Sequence, residues 1–339
     1  MASILEHDHL IYKLKHGFDF PIFHEYYERA VGSVWRHQEV AMESDLRDWG
    51  NATQEERDII AGVLKGFVTS ELGIGCYWSD DVCSFFPKPE IQAMARAFAF
   101  FETIHAAAYA YLNDVLGLME YEAFASDPVA LQKVEKFFEK LDPKISLGVY
   151  SGAGEGVSLY SSFAILLSFN LTGRFKGLAQ IISWSCRDED AHSDAGSLLF
   201  KELVKEQPLT DEEKEQIYAG FNNVLENEFA FIESVFDNRS LEKINLDDMK
   251  AFLRVRANNR LQSLGLEPLE LDLETMKRAR NISEWFYPMV QGSSSNDFFA
   301  QLKDGANYSA KIDQDFRGVD LKNLNLDLFN IKSPQTITT

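Results

Sequence analysis

The chain has 339 residues, of which 45% are hydrophobic and 13% aromatic, so it is long enough to bury a large core. Its formal net charge of −20 argues against nucleic acid or an anionic membrane surface as a direct partner, because both are themselves negatively charged. The most apolar stretch, Phe163–Phe169, is far too short to span a bilayer. We therefore expect a soluble protein that does not enter a membrane.

The cysteines and the N-terminal sequence indicate a cytoplasmic protein. Cys76, Cys83 and Cys186 form no C-x-x-C pair, which is typical of reduced thiols in the cytoplasm. The first ten residues, MASILEHDHL, have neither the basic run nor the apolar core of a secretory signal. We expect no secretory signal and a cytoplasmic localisation.

Helical periodicity extends from about residue 53 to 290, and no segment alternates in the manner of a β-strand. A capping box, Thr53–Glu56, opens the first long helix, which should end near Trp78. Pro89 opens the second, which should extend to about Leu118. Further helices are predicted over about 127–142, 146–170 and 174–204, and from about 210 and 245.

The composition divides the chain into three parts. Residues 1–50 are aromatic and partly helical, as in His24–Arg29, and should form an arm that packs on the bundle. Residues 51–290 should form one helical domain. Residues 291–339 begin with Gly292–Asn296, are polar and rich in turn residues, and predict a flexible tail.

Two Glu-x-x-His motifs, Glu102–His105 and Glu189–His192, each follow a single glutamate in an apolar helical stretch. Glu71 lies 31 residues before the first motif, and Glu155 lies 34 residues before the second. Residues i and i+3 share a helix face, so each motif can direct two ligands to one point. This is the known ligand pattern of dimetal carboxylate bundles. It predicts an all-α, ferritin-like helical bundle with a dinuclear metal site in its core.

The surroundings of these motifs distinguish them from a chance match. Glu6–His9 has the same spacing, but it lacks an apolar frame and is interpreted as a solvated end. Around the first motif, by contrast, buried-type residues recur at spacings of three and four: Ile91, Met94, Phe98, Tyr109 and Leu112. Two divalent cations would neutralise four buried carboxylates, and mixed carboxylate and imidazole ligation suits iron or manganese. The alternative is that the glutamates pair with Arg or Lys across the bundle.

Together these residues resemble the small, radical-carrying subunit of class I ribonucleotide reductase, over about Trp35–Tyr308. The most specific segments are Phe101–Tyr109, Arg187–His192 and Arg254–Gly265. The resemblance implies a dinuclear centre that reacts with oxygen, with two iron ions expected and carboxylates bridging them. The implied ligands are Glu71, Glu102 and His105 for one metal, and Glu155, Glu189 and His192 for the other.

Two departures from the family pattern bear on the metal and the radical. Glu71 stands where an aspartate is more usual in the tyrosyl-radical members, and a glutamate there is similar to members that use manganese with iron or manganese alone. Mn/Fe and two Mn are therefore the alternative metal pairs. The surroundings of Tyr109 also include Leu159 and Ser185, where bulkier apolar residues are common.

The resemblance also implies a path for the radical. Tyr109, one helical turn beyond the first motif, corresponds to the tyrosine that stores it. Trp35 and Asp188 correspond to a relay beside the metals, and Tyr308 to the tail tyrosine that passes the oxidising equivalent on, with a slightly longer spacing than usual. Core packing is the alternative for Tyr109 and Trp35, and on sequence alone the tail could equally be a plain disordered terminus.

The function implied is that of the radical-generating subunit of a ribonucleoside-diphosphate reductase, a homodimer whose tail docks on a large catalytic subunit. The absence of a phosphate-binding loop from this sequence agrees with nucleotides being bound by that partner. The alternative is a ferritin-like dimetal oxidase that acts on a small substrate without a partner subunit. An iron-storage protein is a third interpretation, although storage shells are usually built from much shorter chains.

Overall fold

The computed structural model describes residues 3–6, 17–118 and 142–291, and all structural statements below concern these residues. Their helices of seven residues or more are α1 Pro21–Gly32, α2 Glu43–Asn51, α3 Gln54–Cys76, α4 Pro89–Leu116, α5 Pro143–Val149, α6 Tyr160–Ser168, α7 Lys176–Glu206, α8 Asp211–Phe236, α9 Leu246–Leu264 and α10 Leu273–Gln291. The only β-type pairing in the described residues is an isolated bridge between Leu241 and Ile244. The predicted all-α fold is confirmed.

The helix ends follow from local sequence signals. The Thr53 side chain accepts from the backbone N–H of Glu56, whose carboxylate accepts from Thr53 in return, and Thr210 opens α8 in the same way. The Asn245 side chain caps the start of α9. Gly265 ends that helix with a φ of 81°, a conformation that favours glycine. These boundaries were predictable because the signals are local.

The two longest helices, α4 and α7, carry the Glu-x-x-His motifs through the centre of the molecule. α3 and α1 both pack along α4, while α6 and the α9–α10 pair pack against α7. The side chains between these helices form one large apolar core. The motifs therefore lie where the bundle is most deeply buried, which fits the predicted ferritin-like architecture.

Two π-helical segments interrupt the regular helices. α3 continues into Tyr77–Val82, and α5 continues into Tyr150–Gly154 immediately before Glu155. In the second segment, a Cβ on Gly152 would lie 2.6 Å from the Phe221 ring, so the close packing there requires glycine. The continuous helix predicted around Glu155 is instead broken into shorter pieces. π-Helical turns are frequent at functional sites.

The N-terminal segment is attached to the bundle by buried contacts. α1 packs on α4, and Trp35 is fully buried. The carboxylate of Asp45, also fully buried, accepts hydrogen bonds from the backbone N–H groups of Gly177 and Leu178 at the start of α7. These contacts support an arm that packs on the bundle, and the division of the chain at residues 50 and 290 stays a prediction.

Several predicted features lie outside the described residues. They are the helix over about 127–142, the tail after Gln291 with Tyr308, and residues 7–9 of the Glu6–His9 motif. Within the described parts of the chain, no helix has the length and apolar character needed to cross a membrane. None of the three cysteines is paired in a disulfide.

Candidate metal centre

The six side chains predicted as metal ligands come together in the middle of the bundle. None of them is more than 1% exposed. Their ligand atoms form two groups, and within each group the atoms all lie within 4.8 Å of one another. The first group is Glu71, Glu102, His105 and Glu189, and the second is Glu102, Glu155, Glu189 and His192. We refer to these six residues as the ligand cluster.

Glu102 and Glu189 lie between the two histidines. The Nδ1 atom of His105 is 3.3 Å from Glu102 Oε2 and 2.9 Å from Glu189 Oε1. The Nδ1 atom of His192 is 2.8 Å from Glu102 Oε1 and 3.4 Å from Glu189 Oε2. Each of these carboxylates therefore turns one oxygen toward each histidine, which is the arrangement that a bridging carboxylate requires.

Glu71 and Glu155 occupy the outer ends of the cluster. Glu71 Oε2 is 3.9 Å from His105 Nδ1, and Glu155 Oε2 is 3.9 Å from His192 Nδ1. The cluster thus has two ends, each made of one histidine and one terminal glutamate. This pseudo-symmetry follows the two-fold pattern in the sequence.

The donor set fits two divalent cations. Both carboxylate oxygens of Glu71 and one of Glu155 are buried without a hydrogen-bond partner among the described residues. No Lys or Arg of the described residues forms an ion pair with any of the cluster's four glutamates. The alternative, in which Arg or Lys pairs with these glutamates, is therefore not formed among the described residues. Buried carboxylates without partners are costly, and divalent metal ions would satisfy them.

The protonation of the cluster reflects the crowding of its charges. Burial raises the pKa of Glu71 and of Glu155 well above the usual value, and neighbouring carboxylates add to the effect. Burial also opposes ionisation of Glu189, but hydrogen bonds with the two histidines outweigh it and hold its pKa well below the usual range. Burial lowers the pKa of His192, yet the charges of Glu102 and Glu189 and the hydrogen bonds with them together outweigh it and raise that pKa to about 9. Protons thus balance charge among these groups, and metal ions would displace them.

Tyr109 lies beside the His105 end of the cluster. Its ring centroid is 6.3 Å from that of His105. The Phe67 ring stacks on the Tyr109 ring, with centroids 4.3 Å apart. The side chain is fully buried, and its hydroxyl interacts with the buried Ser185 side chain without forming a hydrogen bond of standard geometry among the described residues. Burial, together with the charge of Glu71, raises the pKa of Tyr109 well above its usual value, so the phenol stays neutral.

Trp35 and Asp188 form a chain of hydrogen bonds that ends at the cluster. The Trp35 indole N–H donates to Asp188 Oδ2 at 2.8 Å, and the same oxygen is 3.0 Å from His105 Nε2. The Trp35 ring also stacks on His105, with centroids 5.9 Å apart. A carboxylate in this position fixes the orientation and the tautomer of a ligand histidine.

Two neighbours of the cluster were not anticipated from the sequence. The Trp78 indole N–H donates to Glu155 Oε1 at 2.5 Å. The buried guanidinium of Arg256 donates to Asp190, beside Glu189, and to the carbonyl of Gly156. Trp78 follows Glu71 by seven residues, two regular helical turns, and that spacing could have pointed to it. No local signal marks the long-range contacts of Arg256.

The comparison with known proteins agrees with this geometry. The sequence pattern of the family described as "Ribonucleotide reductase, small chain" matches residues 16–269. A probable ribonucleoside-diphosphate reductase small subunit of invertebrate iridescent virus 6 is 29% identical over 297 residues, which cover 74% of this chain and 82% of the viral protein. The ribonucleoside-diphosphate reductase subunit beta of Chlamydia pneumoniae is 24% identical over 81% of this chain and 84% of its own length.

Solved structures show the same fold at low sequence identity. The dimanganese(II) NrdF of Streptococcus sanguinis superposes with a TM-score of 0.70 at 22% identity, over 81% of this chain and all of that one. The Rnr4 homodimer of Saccharomyces cerevisiae gives 0.69 at 18% identity, over 78% of this chain and 85% of that one. The family match spans most of the chain, and the paired Glu-x-x-His motifs converge on one buried site. This chain belongs to the small-subunit family of ribonucleotide reductase.

Proposed function

We propose that this protein is the radical-generating small subunit of a class I ribonucleoside-diphosphate reductase and that Tyr109 stores the radical. The observation that carries the proposal is the position of a fully buried tyrosine beside a cluster of four glutamates and two histidines. A hydrogen-bonded tryptophan and aspartate approach the same end of the cluster. A radical subunit needs a metal centre that oxidises, a tyrosine that stores the radical and a path along which the radical leaves. The ligand cluster, Tyr109 and the Trp35–Asp188 pair would supply these three parts.

The ligand cluster would hold two metal ions. Glu71 and His105 would bind one, Glu155 and His192 the other, with Glu102 and Glu189 shared between them. When bound, such a dinuclear centre supplies a strong one-electron oxidant by reaction with oxygen. Two iron ions are the expected pair, and the dimanganese relative from Streptococcus sanguinis supports manganese as the alternative.

The protein's own groups define what happens at Tyr109. Its raised pKa keeps the proton on the phenol, so oxidation must remove a proton together with the electron. Phe67 covers the ring, and burial excludes water and external reductants from it. Trp35 and Asp188 provide a separate hydrogen-bonded path from His105, along which an electron and a proton can move without crossing the Tyr109 pocket.

The direct test is electron paramagnetic resonance after ferrous iron and oxygen are added to the apoprotein. We expect a narrow organic-radical signal in wild type that is lost in Tyr109→Phe. Tyr111→Phe is the matched control, because Tyr111 is on the same helix but stacks on His37 outside the cluster. A signal that survives in Tyr109→Phe would place the radical elsewhere. If iron gives no radical signal but manganese loading gives an oxidised metal centre, the stored oxidant is assigned to the metals.

We further propose that the tail over residues 291–339 docks on a large catalytic subunit and that Tyr308 passes the oxidising equivalent to it. Tyr308→Phe should leave the radical signal intact while abolishing ribonucleotide reduction with the partner. The measurement is the radical yield and the turnover of the same sample. Unchanged turnover would show that Tyr308 is the wrong tail residue.

A homodimer in the cytoplasm is the expected assembly. Phe100, on the outer side of α4, is 52% exposed, and a subunit interface on that side would cover it. The Rnr4 relative from Saccharomyces cerevisiae is a homodimer.

Three unpaired cysteines suit a reducing compartment. Gel filtration should give a dimer, whereas a very large particle would indicate a storage shell.

A further inference from the structure

We propose that Trp78, Tyr77 and Tyr150 form a second electron route, which connects the Glu155 end of the ligand cluster to the protein surface. This route is separate from Trp35, which approaches the His105 end. The inference rests on the proposed dimetal function, because the electrons would be delivered to that centre. It assigns a role to three buried aromatic side chains that the radical path through Tyr109 does not use.

The inner end of the route is Trp78. Its indole N–H donates to Glu155 at 2.5 Å, and its ring lies 6.1 Å from that of His192. The side chain is fully buried. An adjacent carboxylate stabilises the positive charge of an oxidised indole, so Trp78 is placed to give up an electron at the edge of the cluster.

The middle of the route is a stacked pair of tyrosines. Tyr77 and Tyr150 lie with centroids 3.7 Å apart and ring planes at 20°, and Tyr77 meets the Trp78 ring edge-on at 5.9 Å. Each tyrosine begins one of the two π-helical segments, Tyr77–Val82 and Tyr150–Gly154. The two π-helical segments thus meet through these two rings.

The outer end of the route reaches solvent. Tyr77 is 7% exposed, and the side chain that precedes it, Cys76, is exposed. The Tyr77 hydroxyl interacts with that of Ser146, which is itself partly exposed. The phenolic proton therefore has an exit when Tyr77 is oxidised, which a fully enclosed tyrosine such as Tyr109 does not have.

The proposed transfer balances with a small thiol as the reductant. When metals are bound and oxidised, Trp78 would give them one electron. Tyr77, stacked on Tyr150, would then return an electron to Trp78 while its own proton passes by way of Ser146 to water. The Tyr77 phenoxyl then takes an electron and a proton from an external thiol, which becomes a thiyl radical. Two thiyl radicals combine to a disulfide, so two thiols supply two electrons.

The aromatic stack can be tested without any metal. A one-electron photo-oxidant is attached to Cys76 in a Cys83→Ser background; Cys186 is fully buried and should not react. We expect a flash to produce a tyrosyl radical by transient absorption and electron paramagnetic resonance. The yield should be largely lost in Tyr77→Phe, reduced in Tyr150→Phe and unchanged in Tyr111→Phe. An undiminished yield in Tyr77→Phe would overturn the route.

The connection to the centre is tested in metal-loaded protein carrying Trp35→Phe, which removes the other path. We expect the oxidised state to decay more slowly with added thiol after a further Trp78→Phe or Tyr77→Phe substitution. Metal content is measured in each sample. Among the described residues, Tyr77 forms no hydrogen bond or ring contact with a cluster residue, so Tyr77→Phe separates transfer from lost metal. Equal decay in all samples would overturn the route. If no oxidised state forms, the proposed function fails, and the metal-free experiment still decides whether the stack conducts.

Discussion

The two ends of the ligand cluster share a sequence motif but have different surroundings. At one end, His105 Nε2 lies 3.0 Å from Asp188 Oδ2, and that oxygen also accepts a hydrogen bond of 2.8 Å from the Trp35 indole. At the other end the His192 ring is enclosed by aromatic side chains, with Phe98 at 4.2 Å and Trp78 at 6.1 Å. A repeated Glu-x-x-His therefore fixes the ligands, while the neighbours differ: at the polar end His105 has a carboxylate partner outside the cluster, and at the aromatic end the ring contacts of His192 outside the cluster are aromatic side chains.

The largest effect is expected from removing a carboxylate common to both ends. Glu189→Gln should abolish binding of both metals, because an amide lacks the charge that a bridge between two cations needs. The measurement is metal per chain after loading and desalting. Glu228→Gln is the control, since Glu228 is equally buried but is held by Ser161 and Ser158. Two retained metals in Glu189→Gln would contradict the assignment of this glutamate as a bridge.

A smaller effect should be confined to the polar end. Asp188→Asn should weaken metal binding by roughly 10–100-fold, because the amide no longer orients His105 as a carboxylate does. It should also prevent radical transfer through Trp35, even in samples with full metal. Isothermal titration with the metal measures the first effect, and turnover with the large subunit the second. Asp194→Asn, on the same helix but paired with Arg260, should have neither effect.

The smallest effect is expected at the aromatic end. Phe98→Leu should lower the free energy of unfolding by roughly 1–2 kcal/mol, since it removes packing volume beside His192 without removing a polar group. Metal content and turnover should be nearly unchanged. Chemical denaturation of the metal-free protein measures the stability. A loss of turnover as large as that of Asp188→Asn would show that the two ends do not differ in the way proposed.

The ligands could be predicted from the sequence because their signal is local. Two residues three apart share a helix face wherever the helix lies, so Glu102 with His105 and Glu189 with His192 needed no tertiary information. The capping box at Thr53 is local in the same sense. The helix starts and four of the six ligands thus follow from short-range rules.

The surroundings could not be predicted because they depend on register and packing. The π-helical segment Tyr77–Val82 shifts the residues after it relative to a regular helix, so the direction of the side chains beyond Val82 cannot be counted from Glu71. The contact between Arg256 and Asp190 joins residues 66 positions apart. Such contacts form only when two helices pack together, and the periodicity of neither segment predicts them.

The complete burial of the ligand cluster has a kinetic consequence. Because none of the six side chains is more than 1% exposed, a metal ion can enter or leave only when the helices around it separate locally. The rate of metal exchange then measures how often α3, α4 and α7 open, and it is set by packing as much as by bond strength. A metal ion bound at this site would therefore exchange more slowly than one held by exposed side chains.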